Sequence, residues 1–526
     1  MKKKTTIDLL VLIAILIFVN LISITVFKRF DLSLGKIYSL SKSSKTTVRD
    51  LDDRLIIKAY FSKNMPGEYA DSRRFVQDIL SEYQAYSKGN LKFEFLDPAD
   101  EQELKKEAQQ NGIMPVSMRV VENDKLEIRE VYMGLVFLYQ DKVESLPMIK
   151  NTQGLEYDVT SKIKKITANG LKKIAIYDPD KTESQQMPGN PAQNDKYASI
   201  VQFLSESYEV SKIDLTQSVE DNVDALIIAG ISDSLEMSQL VNIDQFLMHD
   251  GNIILFQDRI KADIQQMSAT PINSNLFRLL STYGISIKPN LITDAQCGKV
   301  TVQQQRGIFR TQIPVNYPFF PIINNVNKDN ILVQKLDYMQ LIFASEIDTA
   351  NLPENVTFEP LLYTSENSGL ASMPQLDISY LPYMNVNLKS MLIDEPKVVA
   401  GIYSGKFVSN FMDHTKSDEN AVGSSESGKI LLVSDSEFIQ EGAGAGVPGN
   451  RDFVLNAVDY MVSEGALIEI RSRETQFTPL KEVKPGTKKL IRWINILFPS
   501  LLLILLGMIH YRKELKRRKY IGELYE

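Results

Sequence analysis

The sequence predicts an α/β protein with two successive sheet domains, and three observations predict it. Short apolar runs at 55–61, 225–229 and 252–256 alternate with stretches of helical spacing such as 73–86 and 236–249, the pattern of sheets covered by helices. Between two such stretches, prolines and short β-like runs crowd 301–397, which predicts a β-rich insertion over about residues 299–400. Two long apolar runs, 7–27 and 494–509, lie near the ends of the chain and predict a transmembrane helix on each flank.

The first of these runs carries only Asp8 and Asn20 as strongly polar residues. At about 1.5 Å per residue it is long enough to cross the hydrocarbon layer. No small-x-small cleavage pattern follows near Phe27, so it reads as an uncleaved anchor. The second run opens with Trp493 and is closed by Arg512, Lys513, Lys516, Arg517, Arg518 and Lys519. With Lys2, Lys3 and Lys4 ahead of the first run, the basic flanks put both termini in the cytoplasm, although Lys28, Arg29, Lys488, Lys489 and Arg492 oppose that orientation. The expectation is a protein of the inner (cytoplasmic) membrane, with the lipid bilayer as a partner and a large periplasmic or otherwise extracytoplasmic body.

Composition limits the chemistry. The chain has 526 residues, 44% hydrophobic, enough for two or three cores. Its net charge of −7 gives a nucleic-acid partner no electrostatic support. Cys297 is the one cysteine, which excludes an internal disulfide framework and a cysteine-based zinc cluster. Of the three histidines, His510 sits at the expected membrane edge, so a catalytic triad or His-rich metal centre would have to draw on His249 or His414, and neither lies in a recognisable motif.

In chain order, Ser41 caps a helix over 43–51. A buried strand at 55–61 and a helix at 73–86, ended by Gly89, come next. Residues 91–96 alternate Leu91, Phe93 and Phe95 with Lys92 and Glu94, a half-buried strand. A polar helix over 101–110 stops at Gly112. Met114-Pro115 leads into strands at 117–121 and 131–139, and a helix over 155–167 has Leu155, Val159, Ile163 and Ile166 on one face. This order resembles the thioredoxin fold, in which a cis-proline precedes the third strand. Pro115 stands in the matching place, so Met114-Pro115 is expected to be cis. The redox position reads Ser62-Lys63-Asn64-Met65-Pro66, without cysteine, so thiol exchange is excluded.

A second unit starts after Gly170. Strands at 171–177, 225–229, 252–256 and 429–433 alternate with helices at 197–207, 236–249 and 453–462, which describes a doubly wound parallel sheet. It resembles the class I glutamine-amidotransferase-like fold. The nucleophile would follow 252–256, where Gln257-Asp258-Arg259 stands instead, so that activity does not carry over. His249 reads as a surface or interface residue. The expected division is an anchor at 1–29, a thioredoxin-like domain at 30–169, the doubly wound domain at 170–478, and a C-terminal transmembrane helix with a basic cytoplasmic tail at 479–526.

Gly423-Ser-Ser-Glu-Ser-Gly428-Lys429 has phosphate-loop spacing, but Ile430 stands where magnesium chemistry needs Ser or Thr, and a strand follows instead of a helix. Gly442-Ala-Gly-Ala-Gly446 reads as a mobile loop. No Walker-type site is left, so no ATP hydrolysis is expected. The strands end at Asp178, Asp233, Asp258 and Asp435, where open α/β sheets bind ligands. These four are candidates to hold a cation or a hydroxyl-rich ligand; the competing reading is that each caps the helix after it.

Several blocks resemble the GldG-like family of auxiliary subunits of ABC transporters associated with gliding motility. They are Phe30-Asp31-Leu32-Ser33, Tyr38-Ser39-Leu40-Ser41, Ala59-Tyr60-Phe61-Ser62, Leu155-Glu156-Tyr157-Asp158-Val159-Thr160-Ser161, Gly449-Asn450-Arg451-Asp452-Phe453-Val454-Leu455-Asn456-Ala457-Val458, and Ile468-Glu469-Ile470-Arg471-Ser472-Arg473. The resemblance implies a membrane permease and a separate cytoplasmic ATPase as partners, with no cofactor and no catalysis in this chain. The expected function is a non-catalytic auxiliary subunit whose body binds cargo or partner proteins. The alternatives are an envelope scaffold without a transporter, and a degenerate amidotransferase or hydrolase using Asp258 or His249.

Overall fold

The computed structural model describes residues 39–525 other than 64, 66–68, 70, 100, 123–124, 150–151, 153, 169, 178–194, 307–308, 375, 416–419, 464, 466 and 475–484. It divides into two units, residues 1–476 and 477–526. In the first unit, β1 (Leu55–Phe61) shows why its sequence alternates as it does. Leu55, Ile57, Ala59 and Phe61 enter one core with helices Ser72–Tyr86 and Leu155–Thr167. Tyr60, between them, enters a second core with Ala108 of helix Gln102–Gln110. Successive side chains on a strand face opposite ways, so one strand serves two layers.

β2 (Leu91–Leu96) runs parallel to β1. β3 (Val116–Glu122) and β4 (Lys125–Val131) form a hairpin of their own. β5 (Met133–Tyr139) is antiparallel to β1, and β6 (Lys142–Leu146) is antiparallel to β5. The sheet order is β2-β1-β5-β6. The strand expected at 131–139 is β5, whereas β4 and β6 had no counterpart in the expected order. At the N-terminal side, Ser41 accepts from the Ser44 amide and caps helix Lys42–Arg49, as expected.

The eight-stranded sheet gathers β7 (Lys173–Tyr177), β8 (Glu209–Ile213), β9 (Val223–Ala229) and β10 (Asn252–Phe256) from one stretch of chain. Alternate residues again part: Ile174 and Ile176 pack with helices Ala198–Ser205 and Pro448–Ser463, while Ala175 and Tyr177 pack with helices Met237–Met248 and Leu276–Thr282. After β10 come the hairpin β11 (Ile260–Asp263) and β12 (Ser268–Pro271), then β13 (Ser286–Ile287) and β14 (Asn290–Asp294). The long hairpin β15 (Cys297–Arg306) and β16 (Phe309–Ile323) is followed by β17 (Asn325–Val326), β18 (Met339–Gln340) and β19 (Ile347–Asp348). β20 (Val356–Tyr363), β21 (Ser368–Ser372), β22 (Val398–Gly405) and β23 (Gly428–Val433) complete the set.

The large sheet runs β17-β20-β22-β23-β10-β9-β7-β8. β8, β7, β9, β10 and β23 are mutually parallel; β22, β20 and β17 add antiparallel pairs. From the stretch expected as a β-rich insertion, β20, the short β17 and the start of β22 extend this sheet, while β15, β16, β18, β19 and β21 pair outside it. A smaller aromatic core of Tyr317, Phe319, Phe343 and Ile378 lies outside it.

Three expectations are corrected. Met114-Pro115 is trans; Met373-Pro374 is the cis peptide bond among the described residues. The hairpin of β3 and β4 separates Pro115 from β5, so this proline does not directly precede the third core strand. The segment 442–446 is not a loose loop: Gly444 and Ala445 are buried, and a Cβ on Gly444 would stand 2.4 Å from the Phe438 carbonyl.

The third correction concerns the flanking transmembrane helices and the inner-membrane placement that rested on them. Among the described residues, no helix is long and apolar enough to cross a membrane. The second unit is the helix Pro485–Tyr525, 41 residues long. Its apolar run, 494–509, rises about 24 Å at 1.5 Å per residue against a hydrocarbon layer of about 30 Å. Arg492 and Arg512 stand close to its two ends. The N-terminal run, 7–27, lies outside the described residues.

Candidate functional site

β10 and β23 are neighbouring parallel strands, and both end in a carboxylate two residues beyond the last ladder position: Asp258 after Phe256, Asp435 after Val433. The apolar runs 253–256 and 430–433 of these strands are buried, and the carboxylates two residues beyond each run emerge together. Glu437, on the 3-10 turn Glu437–Ile439, joins them. One oxygen from each of the three acids lies within 4.8 Å of the others. Asp435 is fully buried and Asp258 is 9% exposed.

The hydrogen bonds account for most of the oxygens. Asp258 accepts from the Ser436 amide at 2.7 Å and from the Ser436 hydroxyl. Asp435 accepts from the Ile342 amide at 2.6 Å and from the Phe438 amide at 3.2 Å. The second of these holds a backbone amide of the 3-10 turn from the residue before its cap, Ser436, a role close to the capping one weighed against ligand binding. Gln257, fully buried, donates to the Ile231 carbonyl at 2.9 Å and accepts from the Ile231 amide at 3.0 Å, tying the end of β10 to the end of β9. Gly230 adopts φ +61° at that end, where a Cβ would approach the Ser436 hydroxyl to 3.2 Å.

No lysine or arginine among the described residues pairs with the three acids. Burial holds Glu437 and Asp435 well above the ordinary carboxylate range, and the neighbouring carboxylates add to it. Burial raises Asp258 as well, with its Ser436 hydrogen bonds opposing. Like charges this close do not all ionise, so protons are shared across the group. Three carboxylates would suit a hard divalent cation in kind. The aspartate oxygens, however, already accept hydrogen bonds from backbone amides and the Ser436 hydroxyl, and the arrangement is a knot of carboxyl groups between two strand ends.

Of the four aspartates expected at a ligand site, the structure therefore brings together Asp258 and Asp435. Asp233 is exposed on its own loop, and its backbone carbonyl accepts from the Ser274 hydroxyl at 2.8 Å. Asp178 lies outside the described residues. Glu437 was missed; the available signal was its spacing, two residues beyond an aspartate that itself ends a strand. Burial pushes the Cys297 thiol up to about 11, which disfavours its thiolate.

Comparison with known proteins adds to this. Residues 171–457 match a family described as an ABC-type uncharacterized transport system, and residues 35–138 match a domain of unknown function. An uncharacterized protein of Borreliella burgdorferi is 24% identical over 522 residues, covering 96% of each chain. Among solved structures, the mmIFT52 N-terminal domain overlaps 55% of this chain and 97% of its own at 10% identity, with a TM-score of 0.32. A putative thua-like protein from Parabacteroides merdae overlaps 56% of this chain and 91% of its own at 9% identity, with a TM-score of 0.29. Likenesses this distant carry no functional argument.

Proposed function

The chain belongs to the ABC transporter auxiliary family, and from that premise we propose that it is a non-catalytic auxiliary subunit that binds cargo or partner proteins and acts with a permease and a separate ATPase. The observation that carries this is the extent of the family match, which runs from the first strand of the eight-stranded sheet into helix Pro448–Ser463. The lack of a Walker-type sequence supports an ATPase on another chain.

Within the family we assign the chain to the GldG-like, gliding-motility branch. Four of the blocks that carry that resemblance, those holding Ser41, Glu156 with Tyr157, Asn456 and Arg471, touch one another among the described residues, which supports reading them as one device. Glu156 accepts from the Ser41 amide and the Ser44 hydroxyl, both at 2.6 Å. Arg471 reaches both Tyr157 and Asn456. We also read residues 30–169 as thioredoxin-like. The strand order β2-β1-β5-β6 supports that reading, and the trans Met114-Pro115 peptide counts against it. In this reading the knot of Asp258, Asp435 and Glu437 holds the sheet end together.

Purification of the tagged full chain in mild detergent tests the proposal. Co-recovery of a permease and an ATPase is the expected result. Repeated recovery of the chain alone overturns it in favour of a scaffold without a transporter.

A further inference from the structure

Helix Lys42–Arg49 divides its residues by face. Ser44 and Val48 are buried, so Lys42, Lys45, Thr46 and Arg49, at spacings of three and four, come out together on the other side. These four, with Leu40, line a groove of about 410 Å³, and Glu469 of helix Ile468–Glu474 lines it from a second helix. Three cations thus share one groove with a single acid, in a chain whose net charge is −7.

The cations are lightly engaged. Lys42 makes no ion pair among the described residues. Lys45 Nζ rests 4.6 Å from the centre of the Tyr86 ring. Arg49 lies 3.6 Å from Asp50, both side chains more than half exposed, and an exposed pair of that kind contributes little. Lys42 also opens the helix, whose first turn holds no acid. A cation there opposes the helix dipole, so helix stability does not explain it.

Two neighbours in sequence hold the groove in shape. On helix Leu155–Thr167, Glu156 accepts from the Ser41 amide and the Ser44 hydroxyl, both at 2.6 Å, and fixes the basic helix. Tyr157 accepts from Arg471 at 2.7 Å and fixes the helix that carries Glu469. Asp459 accepts from the Leu467 and Ile468 amides at 2.7 and 3.1 Å and secures the start of that same helix. A groove braced in this way needs little reordering to bind, which lowers the cost of association.

We propose that this groove docks an acidic, extended segment of a partner protein. The proposal rests on the reading of the chain as one that binds partner proteins, and names the surface used. Lys42 and Arg49 are seven residues apart, about 10 Å along a helix. Carboxylates three residues apart on an extended segment span a similar length, at about 3.3 Å per residue. Glu469 and Leu40 favour a peptide over an anionic bilayer, because the acid repels phosphate, whereas a peptide can set a backbone amide or a lysine against it.

Fluorescence anisotropy of a labelled peptide of Glu-Ser-Ser-Glu repeats, added to the full chain in mild detergent, tests the groove. Binding should weaken as salt rises and be absent for the matching Gln-Ser-Ser-Gln peptide. K42E and R49Q should each lower the affinity about tenfold. K389E, at an exposed lysine outside the groove, should leave it unchanged. K42E puts an acid in the first helical turn and so strengthens the helix, which separates lost binding from lost folding. A wild type that ignores the glutamate peptide overturns the proposal, and so does a K42E variant that binds it equally well. Tighter binding of phosphatidylglycerol vesicles than of the peptide, lost in K42E, overturns it in favour of a membrane surface. Co-purification tells the two readings apart. A K42E/R49Q chain that recovers permease and ATPase as fully as the wild type overturns the groove alone. A wild type that recovers neither, yet binds the peptide through Lys42, overturns the transporter reading and supports the groove.

Discussion

Arg471 and Tyr157, 314 positions apart in the chain, share a hydrogen bond of 2.7 Å, and the guanidinium carbon also sits 4.5 Å from the centre of the tyrosine ring. One side chain thereby meets the phenol both at its oxygen and over its face. Removing the hydroxyl with Y157F should cost about 1–2 kcal/mol, because the ring contact survives. R471M strands Asn456 and Asp459 in a buried seam and should cost about 3–5 kcal/mol. Urea unfolding of the two single variants and the double variant gives the coupling, expected to exceed about 1 kcal/mol.

The acid knot makes its own contribution depend on pH. Asp258, Asp435 and Glu437 are all raised in the folded state, so the folded chain holds protons that the unfolded chain releases. Stability from such groups is fully present below their unfolded values, at about pH 4, and is lost as pH rises through the folded ones. D435N removes one of the like charges. Chemical denaturation across pH should show D435N gaining on the wild type as pH rises; a constant difference would mean that the knot does not titrate.

Calorimetry of the full chain with magnesium and with calcium should register no binding heat, because the aspartate oxygens are taken up by Ser436, Ile342 and Phe438. Heat present in the wild type and absent in D435N would turn the knot into a cation site.

Gly444 and Gly449 are set against backbone. A Cβ on Gly449 would stand 2.2 Å from the Tyr338 carbonyl oxygen, and one on Gly444 2.4 Å from that of Phe438, whereas Gly446 has nothing within 4 Å. G444A and G449A should each lower stability by about 1–3 kcal/mol. G446A should change it by less than about 0.5 kcal/mol. Thermal melts of the three variants separate close packing from mere loop composition.

How far these features were legible in the sequence follows from the range of the forces involved. β1, β2, β10 and helix Leu155–Thr167 stood out because their apolar spacing is local and strict. β8 did not, since Glu209 and Lys212 on a sheet edge break the apolar run. The pairing of Asp258 with Asp435 was half visible, each recognised as a strand end. Their adjacency depends on the register of β10 against β23, set by tertiary contacts. At the C-terminal end the membrane reading went wrong on length: the apolar character of 494–509 was plain, while its extent fell short.

β23 lies between β10 and β22, although it is the last strand of that sheet in the chain. A growing polypeptide accordingly carries an open slot at the middle of its largest layer until residue 433 has left the ribosome. Pairings that join distant stretches of sequence close slowly, and exposed strand edges invite wrong partners in the meantime. Truncation before this point should therefore leave two sheet fragments that seek other strands, making the length of the nascent chain itself a gate on correct assembly.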